Sequence, residues 1–446
     1  VAVKPVVRIG LLGLGTVGTG VAKVLMRSKE KLERNVGAKL ELARVADKDL
    51  ARPRDIQLPA EILTDDALKV VHDPSIDLVV ELIGGIMPAK LYIMEAIKAR
   101  KHVVTANKAL LAECWDEIVK AARENGVEVY FEAAVGGGIP IIQSISEGLA
   151  ANRIEAVYMI INGTSNYILT RMDRDGKSFS EALKEAQKKG YAEADPALDI
   201  GGGDAAHKLA ILSSLAFETT VSLKSIFVEG IQDLTPQDFA YAREEFGYVV
   251  KLLAIAKLVG EEGKGEQLEV RVHPTLIPES HLLASVEGAY NGIYVVGDAV
   301  GSTMFYGLGA GQMPTASAVV SDILYVARSI AYGVAGRAGW GPFGDIPLQT
   351  VSLPVRPIEA VVTRYYMRLT CLDKPGVLAQ IAEILGRNQI SIAGVVQKER
   401  RSGDKVPVII LTYEARERDM QKALKEIHGL DAIKGKTLII RMEKGE

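Results

Sequence analysis

Apolar positions in the first third of the chain cluster in short runs, the pattern of strands buried in a parallel sheet. Such runs fill 6–12, 39–46, 77–83, 102–105 and 127–131, and segments of helical period fill 19–27 and 89–100 between them. Strands alternating with helices predict an α/β fold, a doubly wound Rossmann-type sheet whose ligands lie beyond the carboxyl ends of its strands. From about residue 141 the pattern changes. A helix-like stretch at 141–151 leads to a strand at 154–162, and helices follow at 178–189 and 204–217. Segments 268–277 and 290–306 then read as antiparallel strands with glycine turns, which predicts an α+β domain. A long helix over 315–332 returns the chain toward the first domain, and Pro347, Pro354 and Pro357 mark a semi-rigid linker. The remainder has the order βαββαβ: strands at 367–371, 390–398, 406–413 and 436–442, with helices ending at Asn388 and spanning 415–427. The expected domains are 1–140, 141–310, the helical return 311–346, a linker 347–362 and a terminal module 363–446.

Totals narrow the class. A chain of 446 residues is long enough for about three cores. The net charge of −3, from 53 basic and 56 acidic residues, gives no reason to expect nucleic acid or an anionic membrane as partner. Two distant cysteines, Cys114 and Cys371, form no disulfide framework, and no apolar run approaches ~18 residues. The expectation is a cytoplasmic protein.

The first candidate chemistry follows the first strand at once. Gly13-Leu14-Gly15-Thr16-Val17-Gly18 stands between strand and helix, the context in which a G-x-G-x-x-G run carries weight. The first glycine makes the turn, the second lets backbone approach a pyrophosphate, and the third lets helix and strand pack closely. The anion would rest on unpaired N–H groups at the positive end of the helix. Asp47, at the end of the second strand, is placed to accept the ribose hydroxyls of NAD. Arg44, Lys48, Arg52 and Arg54 lie close enough in sequence to hold the 2′-phosphate of NADP instead, so the cofactor is NAD or NADP.

The second is the stretch 190–208. It gathers Glu193, Asp195, Asp199 and Asp204 around Pro196 and Gly201-Gly202-Gly203, then opens an apolar helix carrying Asp204 and Lys208 on one face. Taken alone, such a pair is a surface ion pair worth ~0.3–0.5 kcal/mol. With Ala205, Ala206, Leu209 and Leu212 around it, the pair reads instead as a buried functional group.

Several collinear blocks resemble the homoserine dehydrogenase family over roughly the first 340 residues. They are the Gly13–Gly18 turn, Val104–Lys108, Glu132–Pro140, Asn162–Tyr167, Gly190–Pro196 and Asp204–Lys208. The resemblance implies reversible reduction of L-aspartate 4-semialdehyde to L-homoserine with NADPH or NADH, on the route to threonine, methionine and isoleucine. By that resemblance Lys208 is the general acid/base, its pKa lowered by desolvation, and Lys108 is an auxiliary catalytic group. Gly190, Glu193, Asp199 and Asp204 are implied for substrate, with buried carboxylates meeting its ammonium group. Thr105, Lys108, Gly190 and Gly309 join the glycine turn (Leu14, Thr16 and Val17 included) and Asp47 at the cofactor. Glu132, Val135, Gly137 and Ile139 match a monovalent-cation site, Na⁺, whose hard oxygen donors suit that ion. A homodimer or homotetramer is implied as well.

The terminal module resembles the ACT domain, from its βαββαβ order and the Asp373-Lys374-Pro375-Gly376 turn. The resemblance implies an L-threonine effector near Asn388 and 390–394, and a module whose removal near Pro357 leaves catalysis intact. Two other classes stay in view: a phosphorylating aldehyde dehydrogenase, which needs a thiolate nucleophile, and a non-catalytic regulator that binds nucleotide without turnover.

Overall fold

The protein is described as a computed structural model covering residues 4–261, 264–335, 353–398 and 405–444. Residues 347–352 of the linker expected at 347–362, and 336–346 of the helical return expected at 311–346, lie outside the described residues. In the first third the elements are β1 (Val6–Leu12), α1 (Thr16–Arg27), α2 (Lys29–Val36), β2 (Lys39–Ala46), β3 (Leu63–Thr64), α3 (Ala67–Val71), β4 (Leu78–Glu81), α4 (Ala89–Lys98), β5 (His102–Thr105), α5 (Lys108–Asn125) and β6 (Val129–Tyr130). The middle holds α6 (Ile141–Gln143), β7 (Ile154–Ile160), α7 (Gly163–Asp175), α8 (Phe179–Lys188), α9 (Ala197–Ile200), α10 (Gly203–Ala216), β8 (Phe227–Val228), α11 (Pro236–Phe246), β9 (Tyr248–Glu261) and β10 (Lys264–Pro278). Then come β11 (Tyr290–Gly297), β12 (Gly301–Leu308), α12 (Gln312–Ala331), β13 (Val362–Leu372), α13 (Val377–Arg387), β14 (Ile392–Val396), β15 (Lys405–Thr412), β16 (Ala415–Arg416), α14 (Glu417–His428) and β17 (Leu438–Met442). Among the described residues no helix is long and apolar enough to cross a membrane.

The chain forms two compact units. The first comprises 4–157, 207–223 and 291–335. Its six strands run parallel in the order β3-β2-β1-β4-β5-β6. The order reverses between β1 and β4, the switch point at which such sheets bind ligands. Fully buried Val7, Ile9 and Leu11 of β1 and Leu78 and Val80 of β4 meet Val21 and Ala22 of α1 and Val319, Ile323 and Val326 of α12 in one core. A Cβ on Gly20 would come within 2.8 Å of the Gln312 carbonyl, so the return of α12 depends on close contact with α1.

The second unit comprises 158–206, 224–290 and the described residues from 353 onward. Its antiparallel pair β9–β10 is extended by β17, which runs parallel to β10 with Thr275 opposite Arg441 and Leu276 opposite Met442. The sheet continues β17-β13-β15-β14. The terminal βαββαβ module thus adds its strands to an existing sheet instead of standing apart on a linker. The described part of the expected linker is itself stitched to β10: Leu268 N–H donates to Pro354 O at 3.0 Å and Arg356 N–H to Leu268 O at 2.9 Å.

Side chains reinforce that seam. Fully buried Arg271 on β10 reaches Glu443 at 2.5 Å, and Arg441 on β17 reaches Glu229 at 2.8 Å while forking onto Glu417. Asp238, the third residue of α11, accepts from Thr235 N and Oγ1 in a capping box and also from Tyr366 Oη and Arg368 Nε of β13. Charges this deeply buried cost several kcal/mol unless paired.

Sequence reading placed most elements but not all. The stretch at 141–151 is one turn of α6 followed by a π-helical turn at Ser144–Gly148. Helices α5, α7 and α11 and the long strand β9 were not anticipated.

Candidate active site

The glycine turn has the geometry that dinucleotide binding requires. Gly13 sits at φ +97°, and a Cβ there would lie 2.7 Å from the Leu82 carbonyl oxygen. A Cβ on Gly18 would lie 2.0 Å from Gly13 O, whereas one on Gly15 would meet nothing within 4 Å. Gly15 also caps α1 with no side chain on its first N–H groups. The turn is therefore closed at its first and third glycines and open at the second, where a pyrophosphate would approach.

Asp47 lies at the end of β2 as expected, but it already holds the turn. Its carboxylate accepts Leu14 N–H at 2.6 Å and Asp49 N–H at 2.8 Å and pairs with Arg54 at 3.3 Å. Arg54 Nε donates to Leu14 O at 2.8 Å. Arg44 is drawn away to Asp73 at 2.6 Å, which removes it from the candidate 2′-phosphate ligands.

Beyond β4 and β5 the structure adds groups that sequence reading missed. Fully buried Glu81 accepts the N–H groups of Ile83 and Gly84 and the hydroxyl of Thr105 at 2.7 Å. Asn107 caps α5 through Leu110 N–H and donates to Gly85 O at 2.6 Å. Together they fix Thr105 and place half-buried Lys108 as the first residue of α5. The signal was present in sequence: an acid inside the apolar run of β4 needs internal partners.

In the loop 132–139, Gly136 and Gly137 have φ of +75° and +58°, and a Cβ on Gly137 would strike Gly309 O at 2.2 Å. The Glu132 carboxylate is buried, accepts Ile142 and Gln143 N–H, and is pushed up to about 7 by burial. Fully buried Asp322, unremarked from sequence, accepts Glu132 N–H at 2.9 Å and is raised well above the usual carboxylate range by burial and by Glu132. Glu132 and Asp322 thus supply two buried carboxyl groups, hard oxygen donors of the kind that suits a monovalent cation. Among the described residues no group of three or more His, Cys, Asp or Glu side chains is arranged to hold a metal.

In the second unit, Asn162 organises the acidic stretch. Its Oδ1 caps α7 through Ser165 N–H, and its amide donates to Asp199 at 2.7 Å and to Asp204 at 2.8 Å. Ser165 Oγ donates to Asp199 O at 2.9 Å. The structure thus brings Asp199 and Asp204 together through an asparagine that sequence reading left unassigned. Asp204 is 3% exposed and Lys208, one turn further along α10, is 8% exposed. Glu193 departs from expectation: it is exposed, on the turn after Gly190, which adopts φ +75°. Asp195 is exposed too and caps α9 through Ala197 N–H.

The Cys371 thiol fits no nucleophilic role. Cys371 is fully buried on β13 and its thiol is pushed up to about 11, while Cys114 marks a kink inside α5. In the terminal module Asn388 is buried and its amide is taken up by Ile384 O and Glu426.

Three family models match: homoserine dehydrogenase, NAD binding domain, over residues 13–132, homoserine dehydrogenase over 140–324, and ACT domain over 365–432. Homoserine dehydrogenase of Neisseria gonorrhoeae is 45% identical over 440 residues, covering 99% of both chains. That of Bacillus subtilis is 39% identical over 438 residues and 98% of both. Among solved structures, a homoserine dehydrogenase from Thiobacillus denitrificans superposes with TM-score 0.91 at 48% identity over 99% of both chains. A hyperthermophilic archaeal homoserine dehydrogenase in complex with NADPH gives TM-score 0.59 at 25% identity, covering 72% of this chain and 97% of its own.

Proposed function

The chain belongs to the homoserine dehydrogenase family, NAD(P)-binding oxidoreductases here carrying a C-terminal ACT domain, and from that premise we propose that it interconverts L-aspartate 4-semialdehyde and L-homoserine. The observation that carries the reading is the placement of Asp204 and Lys208, both buried, one turn apart on α10, with Asp204 fixed by Asn162. When bound, NAD(P)H would supply hydride for the aldehyde carbon, and NAD(P)+ would accept it in the oxidative direction. Lys208 donates a proton to the carbonyl oxygen as its charge develops and recovers it from the hydroxyl in reverse. Asp204 accepts the substrate ammonium, with Asp199 beside it; Glu193, on its exposed turn, and the backbone of Gly190 complete that set. Lys108 meets the substrate carboxylate or assists proton transfer, and Gly13 to Gly18, Asp47, Thr105 and Gly309 frame the cofactor. Absorbance at the nicotinamide band, with L-homoserine and NAD or NADP, tests the activity. A well-folded protein inactive with both would end the reading.

Five finer points belong to the same proposal. Of the domain extents 1–140, 141–310, 311–346, 347–362 and 363–446, the first and last are supported by the family matches over 13–132 and 365–432, while the match over 140–324 runs from the second into the third. NADP is supported by Arg54 on the glycine turn, and Arg54→Ala compared on both cofactors tests it. Na⁺ would be held by Glu132 with the backbone of Val135, Gly137 and Ile139, neutralising the buried acids and stiffening the loop, which a sodium-dependent rise in Tm would register. A homodimer or homotetramer is supported by exposed Tyr306 and Leu308 on β12, and light scattering tests it. L-threonine as effector is supported by the ACT module, and an unchanged rate in its presence would remove it.

A further inference from the structure

In the first unit, the turns that follow β4 and β5 are joined by a closed ring of hydrogen bonds. Parallel pairing of the two strands sets Glu81 opposite Thr105. The Glu81 carboxylate accepts Ile83 N–H at 2.7 Å, Gly84 N–H at 3.1 Å and the Thr105 hydroxyl at 2.7 Å. Thr105 Oγ1 in turn accepts Asn107 N–H at 3.0 Å, and the Asn107 side-chain amide donates to Gly85 O at 2.6 Å. The peptide between Gly84 and Gly85 closes the ring, and Lys108 follows Asn107 directly.

Glu81 fixes the polarity of this ring. A carboxylate is acceptor-only, so the single hydroxyl hydrogen of Thr105 is committed to it. The Thr105 hydroxyl then keeps no hydrogen for a cofactor or a substrate, and Asn107 N–H takes one of its lone pairs. Glu81 and Thr105 are both fully buried, and hydrogen bonds to a charge are roughly twice as strong as neutral ones, so the ring is stiff. Asn107 carries that stiffness onward. Its Oδ1 caps α5 through Leu110 N–H at 3.2 Å while its amide holds Gly85 O. It thereby sets the start of α5, where half-buried Lys108 stands, at a fixed place relative to the turn after β4.

We propose that Thr105 and Asn107, anchored on Glu81, are positioning residues for the reaction: their side chains are spent inside the ring and act through Lys108. The inference rests on the functional reading above, in which Lys108 meets the substrate carboxylate or assists proton transfer. The cofactor-facing role that the family resemblance gives residue 105 then falls to its backbone. Opening the ring frees Lys108 to shift against the turn after β4, and a displacement of about 1 Å at a reacting site costs up to about 10²-fold in rate.

The test is steady-state oxidation of L-homoserine by the full chain with NAD and with NADP, alongside Tm. The near-isosteric Thr105→Val is expected to lower kcat/KM about tenfold or more, and Thr105→Ser to restore it to within about threefold of the parent. Asn107→Asp keeps the cap on α5 but removes the donor to Gly85 O, and is expected to give a loss of about the same size. Added to Lys108→Ala, Thr105→Val is expected to cost less than about threefold more, because its effect passes through that lysine. Asp66→Ala removes the cap of α3 in the same unit and is expected to lower Tm with kcat/KM unchanged. A parent without turnover on either cofactor ends the functional reading itself. With an active parent, the positioning proposal alone is overturned if Thr105→Val or Asn107→Asp matches the parent, or if Thr105→Ser restores nothing. It is equally overturned if the losses of Thr105→Val and Lys108→Ala multiply in full, or if Asp66→Ala loses as much kcat/KM as the ring variants.

Discussion

Gly15 and Gly18 stand three residues apart in one turn, yet substitution to alanine should act on different observables. Gly15 has φ −73° and ψ −155°, and a Cβ there meets no atom within 4 Å. The protein should tolerate Gly15→Ala at a cost within about 1 kcal/mol, part of it offset by lost freedom in the unfolded chain. The new methyl enters the space through which a pyrophosphate would approach the first N–H groups of α1, so the dissociation constant for NAD(P)H should rise at least about tenfold, or 1.4 kcal/mol. Gly18→Ala is the converse. Its Cβ would lie 2.0 Å from the Gly13 carbonyl oxygen, a backbone atom that can withdraw only by opening the turn from β1. Overpacking of that kind costs about 1–3 kcal/mol or more and should lower Tm by several degrees. Cofactor fluorescence titration and thermal unfolding of the same two variants separate the effects. If Gly15→Ala binds NAD(P)H like the parent, the open side of the turn is not the pyrophosphate site. If Gly18→Ala melts like the parent, the packing argument fails.

Lys208→Ala should lower kcat by ~10²–10⁴ with the cofactor dissociation constant little changed, and an unchanged kcat would move the acid role to Lys108. His102, whose Nδ1 accepts Glu128 N–H, is held down to about 4 by burial against an ordinary 6.5. Because its folded pKa is depressed, the unfolded chain binds more protons below pH 6.5, and up to about 3 kcal/mol of stability should be lost as pH falls from 6.5 to 4. Urea unfolding of His102→Asn should show a smaller decline over that window; an equal slope would refute it. Asp238→Asn and Arg368→Met should each cost about 3–5 kcal/mol by leaving a buried partner uncompensated. Their double variant should cost clearly less than the sum, and additive costs in denaturant titrations would mean that the pair is not coupled. Truncation near Pro357 should destabilise what remains, because it strips Arg271 of Glu443 and Asp238 of Arg368, and a shortened chain with parental Tm would contradict that.

The Rossmann sheet was legible because its strands other than the two-residue β3 lie in apolar-rich runs that end in turns or helix starts. β2 and β5 match their expected limits residue for residue. The long strand β9 was missed: Lys251 and Lys257 interrupt its apolar run, and only tertiary partners such as Val286 O and Glu443 explain them. In the site, Asp204 and Lys208 were visible through spacing, and the glycine turn through its context. Asn162 was quoted only as part of a motif, because its role depends on bringing three segments together across 42 residues. Glu193 was expected to be buried because the family resemblance implies it as a carboxylate for the substrate ammonium, but solvent exposure is a property of the folded turn. Domain separation misled for the same reason. Three prolines look like a spacer, but Pro354 offers its carbonyl to β10 and the chain around it is stitched to a sheet edge.

That stitching determines how the terminal module can act on the rest of its unit. A mobile sensor on a flexible linker would influence catalysis only by docking and undocking. Here the seam between β10 and β17 has only two paired positions, Thr275 with Arg441 and Leu276 with Met442. Backbone pairing that short holds little alone, so the buried ions around it must carry the attachment. The pairs Arg271–Glu443, Asp238–Arg368 and Glu229–Arg441 would be broken if the modules parted, at several kcal/mol for each buried ion left uncompensated, while Arg441 would keep Glu417. Separation is therefore the expensive motion, and small shifts within the joined sheet are the accessible ones. Any ligand that moves β13 displaces Arg368 and Tyr366 from Asp238, the residue that caps α11 on the catalytic side of the seam. The effect then reaches the first turn of that helix through a single carboxylate, without passing through the proline-rich segment.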